Sequence, residues 1–96
     1  MFDAKLKSLT DVNINLTVPW YLMASWAYYV EDAPIITDAA YDALCVKMRE
    51  RWMWITHWHK PIIVYADLIA GTCLLPQKAY PARSVGALQQ LRGETL

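Results

Sequence analysis

The stretch Tyr28-Tyr29-Val30-Glu31-Asp32-Ala33-Pro34-Ile35-Ile36-Thr37-Asp38-Ala39-Ala40-Tyr41-Asp42-Ala43-Leu44 decides the fold. A helix carrying Tyr28 and Tyr29 must stop before Pro34, because the residue preceding a proline disfavours the α conformation. Thr37 is then placed to cap a second helix. On that helix Tyr41 and Asp42 fall one turn after Asp38, on one side and near the N-terminus, where free N–H groups and the helix dipole favour acceptor-rich ligands. Tyrosines and aspartates thus converge around one helix-turn-helix corner, and rings beside acceptors are the chemistry of a nucleotide pocket.

Outward from this corner, Thr17 followed by Pro19 predicts a helix from about Pro19 to Val30, with the proline tolerated in its first turn. The second helix is predicted to run from Thr37 to about Ile55. Its apolar positions Tyr41, Leu44, Cys45, Met48, Trp52 and Ile55 recur at steps of three and four and form one buried stripe. Asp42, Lys47, Arg49 and Glu50 lie opposite and read as a solvated face. His57-Trp58-His59-Lys60-Pro61 breaks the helix, and Ile62 to Val64 is expected to extend briefly as β structure. Tyr65 to Ala70 reads as a short helix ended by Gly71 in a left-handed cap. Pro76 and Pro81 punctuate a loop before a last helix from Val85 to Leu91. Residues 1–16 read as a short helix or a partly ordered arm. The expectation is one mainly α domain over residues 1–96: a helical hairpin with a short extra helix and a loop-rich C-terminal part.

Ninety-six residues bury roughly 60–65% of the unfolded chain's surface, enough for a stable core if it is rich in aromatics. Five tryptophans and six tyrosines supply such a core. The formal net charge is zero, which argues against a nonspecific nucleic-acid binder or attraction to an anionic membrane. Cys45 and Cys73 stand singly, without C-x-x-C spacing or a leading secretory signal, as expected of reduced thiols in a cytoplasmic protein. The longest apolar stretch, Val18 to Val30, is too short to span a bilayer.

The opening stretch resembles the N-terminal Ia domain of bacterial NAD-dependent DNA ligases, whose signature runs approximately Y-[HY]-x-x-D-x-P-x-[IV]-x-D-x-x-Y-D-x-L. The chain meets it at Tyr28, Tyr29, Asp32, Pro34, Ile36, Asp38, Tyr41, Asp42 and Leu44. A shorter likeness, Tyr80-Pro81-Ala82-Arg83-Ser84-Val85-Gly86, looks like the family's S-P-T-x-R-V-G segment, which leads into the adenylation domain. The resemblance implies a ligase-like core at about 19–60, followed by a divergent aromatic insert and C-terminal segment over 61–96. It implies that Tyr28, Tyr29, Asp38, Tyr41 and Asp42 bind the nicotinamide mononucleotide (NMN) half of NAD. Freestanding relatives of this kind look like small bacteriophage or prophage proteins in a bacterial host cytoplasm, accessory to a separately encoded ligase.

The family's adenylation lysine sits in K-x-D-G, and none of Lys5, Lys7, Lys47, Lys60 or Lys78 is followed by x-Asp-Gly. No catalytic activity by the chain alone is expected, and no Ser-His-Asp order, glycine-rich phosphate loop or H-E-x-x-H is present. For the tyrosine and aspartate cluster the competing explanation is structural, with Tyr28 and Tyr41 as interhelical core rings and Asp38 stabilising a helix N-terminus. His57, His59, Cys45 and Cys73 follow no zinc spacing, so no metal is expected. Trp52 and Trp54 lie about 200° apart on a helix and cannot both enter one core. Trp54 and Trp58 are therefore expected to be exposed or covered by a partner, and Trp26 and Trp52 buried. This aromatic surface carries the alternative reading: a phage protein that binds and modulates a host enzyme, or self-associates as a homo-oligomer.

Overall fold

The computed structural model describes residues 1–94. Five α-helices, α1 (Asp3–Val12), α2 (Thr17–Ser25), α3 (Asp38–Glu50), α4 (Tyr65–Ala70) and α5 (Ala82–Arg92), are joined by short 3-10 turns and, after α2, by a π turn, with no strand among the described residues. The mainly α expectation holds. Ile62 to Val64 do not form β structure: Ile62 ends a 3-10 turn and Ile63 is extended. A strand would need a neighbour for its N–H groups, and the Ile63 N–H instead donates to the Lys60 carbonyl at 3.0 Å.

Helix α2 sits at the centre, with eight of its nine residues, Thr17, Val18 and Trp20 to Ser25, buried. A helix apolar on all sides belongs inside a protein, and α2 packs against both α3 and α5. It starts at Thr17, so Pro19 occupies its first turn, where its missing N–H costs nothing. Among the tryptophans Trp20 is buried, while Trp26 and Trp52, expected in the core, are only half-buried. Trp20 lies on the all-apolar helix, whereas Trp26 and Trp52 lie where helices end.

Helix α3 stops at Glu50, short of the expected Ile55, and the chain tightens into a 3-10 turn at Trp52–Trp54. The reason is tertiary. The Lys60 ammonium donates to the Trp52 carbonyl (2.7 Å) and the Ile55 carbonyl (3.0 Å) and lies 4.7 Å from the centre of the Trp52 ring, satisfying groups that a continued helix would have bonded itself. The turn still delivers Ile55 to the core while Trp54 and Trp58 remain 72% and 66% exposed. As expected, Leu44, Cys45 and Met48 form the buried stripe of α3.

Helix α1, one of two alternatives for residues 1–16, docks through Leu6 and Thr10. The Asp3 carboxylate accepts from the Thr37 N–H (3.0 Å) and hydroxyl (2.7 Å), and the Phe2 N–H donates to the Ile35 carbonyl (2.8 Å). The N-terminal segment is thereby fastened to the corner that precedes α3. Helix α4 ends, as its sequence predicts, at Gly71 with φ 72° and ψ 32°. No helix among the described residues is long and apolar enough to cross a membrane.

Candidate functional site

The corner between α2 and α3 forms a cleft. Beyond Ser25 the chain widens into a single π turn, Trp26–Val30, in which the Glu31 N–H reaches the Trp26 carbonyl five residues back at 3.2 Å. A wider turn gives a smaller angular step between neighbours, so the adjacent Tyr28 and Tyr29 both face the same side; such turns recur at functional sites. Their rings meet edge to face with centres 4.9 Å apart, and each is almost half exposed. The sequence reading took this segment as ordinary α-helix, and nothing in a run of apolar residues signals the change.

The turn out of the π segment is held from several sides. Asp32 adopts a left-handed conformation, φ 51°, which aspartate tolerates better than most residues. The Ala33 N–H bonds to the Ala27 carbonyl at 2.8 Å. From α5, Arg92 reaches across to pair with the Glu31 carboxylate and to donate to the Ala33 carbonyl. Ile35 and Ile36 then turn into the core, which fixes where α3 begins. The Thr37 hydroxyl accepts from the Ala40 N–H at 3.1 Å, as its sequence position predicted.

The cap takes up one donor at the start of α3: the Ala40 N–H is held by Thr37, and Thr37 is held by the carboxylate of Asp3. These bonds to Thr37 hold the Asp3 carboxyl below the usual carboxylate range.

All five residues singled out from the sequence line one cleft of about 240 Å³: Tyr28, Tyr29, Asp38, Tyr41 and Asp42. Its floor is apolar, from Ala24, Pro34, Ile35 and Ile36, and Gly71 closes one side. Gly71 was legible in the sequence as a helix cap but not as part of this cleft. An added Cβ there would stand 3.3 Å from the Asp42 carboxylate, so the α4 cap and the cleft wall are one construction.

Tyr41 is the fixed ring. Its hydroxyl lies 2.7 Å from that of the fully buried Ser25, and its ring rests 5.9 Å from that of Tyr21. Tyr21 in turn donates to the Thr72 carbonyl at 2.6 Å. Burial pushes the Tyr41 phenol well above its ordinary range, and burial also raises Tyr29. Both rings are therefore neutral at physiological pH, and the formal charge of the cleft comes from Asp38 and Asp42. Among the described residues no lysine, arginine or histidine lines it.

The other groups with chemical capacity are arranged differently. Burial pushes the Cys45 thiol up to about 12, and the Cys73 sulfur lies 3.3 Å from the Tyr80 hydroxyl in the core; both are free thiols. Among the described residues no group of three or more His, Cys, Asp or Glu side chains is arranged to hold a metal. His57 Nδ1 accepts from the His59 N–H at 3.0 Å. A second groove between α1 and α3 is largely apolar, lined by Leu6, Ala40, Ala43 and Leu44. Its polar rim is already paired, Lys47 with Asp11 and Asp3 with Thr37.

Over the described residues, fold and site together define a small helical domain with an aromatic, acidic cleft at a helix-turn-helix corner. Residues 22–50 match the family of the DNA ligase-like, N-terminal NAD+-binding domain. The matched segment runs from within α2 to the end of α3 and holds every cleft residue except Gly71. It covers less than a third of the chain and stops well before Tyr80. The Tyr80 to Gly86 likeness lies outside the matched segment and runs into the start of α5, where Tyr80 and Ser84 are buried while Ala82, Arg83 and Gly86 are exposed. No curated protein and no solved structure matches the chain.

Proposed function

We propose that this protein binds NAD through its nicotinamide end, in the cleft formed by Tyr28, Tyr29, Asp38, Tyr41 and Asp42, without turning it over. The carrying observation is the convergence of those five side chains on one cleft within the segment that matches an NAD+-binding family. Charge supports which end enters. The pyridinium is the cationic group of NAD+, and among the described residues the cleft offers two carboxylates, three tyrosine rings and no cationic side chain. A ring face attracts a cation by roughly 0.5–2 kcal/mol depending on desolvation. Size points the same way: about 240 Å³ falls below the roughly 300–1,000 Å³ that encloses a whole drug-sized ligand. One end of the dinucleotide fits, leaving the adenylate end outside, available to a separately encoded ligase subunit that the domain assists in a bacterial or phage-infected cytoplasm.

Calorimetric titration with NMN tests the reading. Binding between micromolar and millimolar, roughly 4–8 kcal/mol, together with shifts of the tyrosine resonances, is the expected result. Absence of heat and of tyrosine shifts up to several millimolar ligand refutes it. With NAD and nicked DNA, the chain alone is expected to form no lysyl adenylate and to seal no nick; an adduct on any lysine would contradict this.

A second reading is favoured by the exposure of Met53 (89%), Trp54 (72%) and Trp58 (66%) on one short segment. Large wet aromatics are enriched at binding hot spots, and here they would dock a host enzyme or a second copy of this chain. Loss of partner capture in Trp54→Ala with the helical signal intact supports it, and unchanged capture refutes it.

A further inference from the structure

Beyond the matched segment and away from the cleft residues, the loop that follows α3 is exposed yet firmly held. The Lys60 ammonium closes it by holding the Trp52 and Ile55 carbonyls. The Asn15 side chain pins it from the N-terminal side, accepting from the Thr56 N–H (2.8 Å) and donating to the Thr56 hydroxyl (3.0 Å). On this fixed loop Trp54 and Trp58 remain largely exposed. The Trp58 ring is set by His59, whose imidazole centre lies 3.8 Å away at 30°, and by Arg83 of α5, whose guanidinium stands 5.4 Å from the ring centre. Charge is as distinctive as the rings. From Arg51 to Ala66 the chain carries Arg51, His57, His59 and Lys60 but no aspartate or glutamate. The ion pairs among the described residues, Lys5–Glu94, Lys7–Asp11, Lys47–Asp11 and Arg92–Glu31, all lie elsewhere. A zero net charge for the whole chain thus conceals a local surplus of cations around two wet indoles.

We infer that this loop binds a single strand of nucleic acid, with Trp54 and Trp58 as stacking platforms for bases and Arg51 and Arg83 beside the phosphates. Exposed rings next to cations are the chemistry of sequence-tolerant single-strand binding, because every base has a face to stack and every phosphate a charge to neutralise. A duplex keeps its bases stacked on one another and offers these rings only its backbone. An apolar protein contact would cover Arg51 and Arg83 without partners, which costs desolvation that phosphates repay. Cleft and loop are independent in this scheme, so the nicotinamide reading stands or falls without it.

The test is fluorescence anisotropy of an end-labelled oligothymidylate of about ten nucleotides, titrated with the full chain at several salt concentrations beside an abasic strand and a duplex of the same length. The oligothymidylate is expected to bind at least about tenfold more tightly than either comparison strand. Its affinity should fall with salt at a log–log slope near −1.4, about −0.7 for each of two phosphate contacts. Trp54→Ala and Trp58→Ala should each weaken binding about fivefold or more, and Arg83→Gln should reduce the slope by about 0.7. All three positions are exposed, so an unchanged helical signal confirms that each variant folds. Equal binding of the abasic strand, undiminished binding by both tryptophan variants, or no binding up to about millimolar chain overturns the inference. Self-association that Trp54→Ala abolishes, with no oligothymidylate bound, also overturns it and assigns the rings to a protein contact.

Discussion

Gly71→Ala probes the junction between the end of α4 and the cleft. Gly71 has φ 72°, a conformation that costs an L-residue with a side chain about 1–2 kcal/mol. The loss of unfolded-state freedom on replacing glycine returns about 0.4–1 kcal/mol, which leaves a net destabilisation of roughly 1 kcal/mol. In a chain of this size that lowers Tm by about 4–8 °C. The new Cβ would also lie 3.3 Å from Asp42 Oδ1. Because Asp42 is exposed, its carboxylate can swing away with little effect on folding, but it then leaves the cleft. Ligand affinity should fall two- to fivefold, about 0.5–1 kcal/mol, the value of a partly exposed charge contact. Urea denaturation and calorimetry on the same variant separate the two effects. Gly86→Ala is the matched control: it lies within α5, an added Cβ there meets nothing within 4 Å, and the substitution should stabilise by about 0.5–1 kcal/mol without touching affinity. A Gly71→Ala protein as stable as the parent would refute the assignment of Gly71 as a left-handed cap, and unchanged affinity would refute its coupling to Asp42.

Tyr41→Phe should cost about 1–3 kcal/mol by stranding the buried Ser25 hydroxyl, and Ser25→Ala in the Tyr41→Phe background should recover part of that loss in a urea melt. The Asp3 carboxyl, depressed by its bonds to Thr37, and the Asp11 carboxyl, lowered to about 2 by its bonds to Lys47 and Lys7, are both below their unfolded values near 3.8. The stability they contribute is therefore present above about pH 4 and lost as pH falls through the folded values. Asp3→Asn should flatten the acid limb of a stability–pH profile, and an unchanged limb would refute the Thr37 anchor. Trp54→Ala should leave Tm within about 2 °C, since an exposed ring contributes little to the core; a loss of several kcal/mol, the usual cost of emptying a core aromatic site, would show that the ring is packed.

The sequence by itself determined those features whose causes are local. Pro34 forbids α structure before it, Thr37 offers a side-chain acceptor to the first turn of α3, and Gly71 alone accepts the left-handed cap; each is a property of a residue and its immediate neighbours. The same is true of the stripe through Leu44, Cys45 and Met48, and of the spacing that puts Tyr41 and Asp42 one turn after Asp38, which is why the rings and carboxylates of the cleft were legible before any fold. What only the tertiary structure decided depends on groups distant in the chain. Lys60 ends α3 early by holding the Trp52 and Ile55 carbonyls, so the helix stops at Glu50 rather than Ile55. The π turn that aims Tyr28 and Tyr29 together is followed by a corner to which Arg92 is clamped some sixty residues later in the chain. Asp3, from a segment that read as a helix or an arm, accepts from the Thr37 N–H and hydroxyl and so places a carboxylate beside the cap of α3. A periodic pattern reports which face of a helix is apolar, but it carries no record of which distant side chain will satisfy a terminal carbonyl or N–H, and at this corner those distant partners hold the backbone that shapes the cleft.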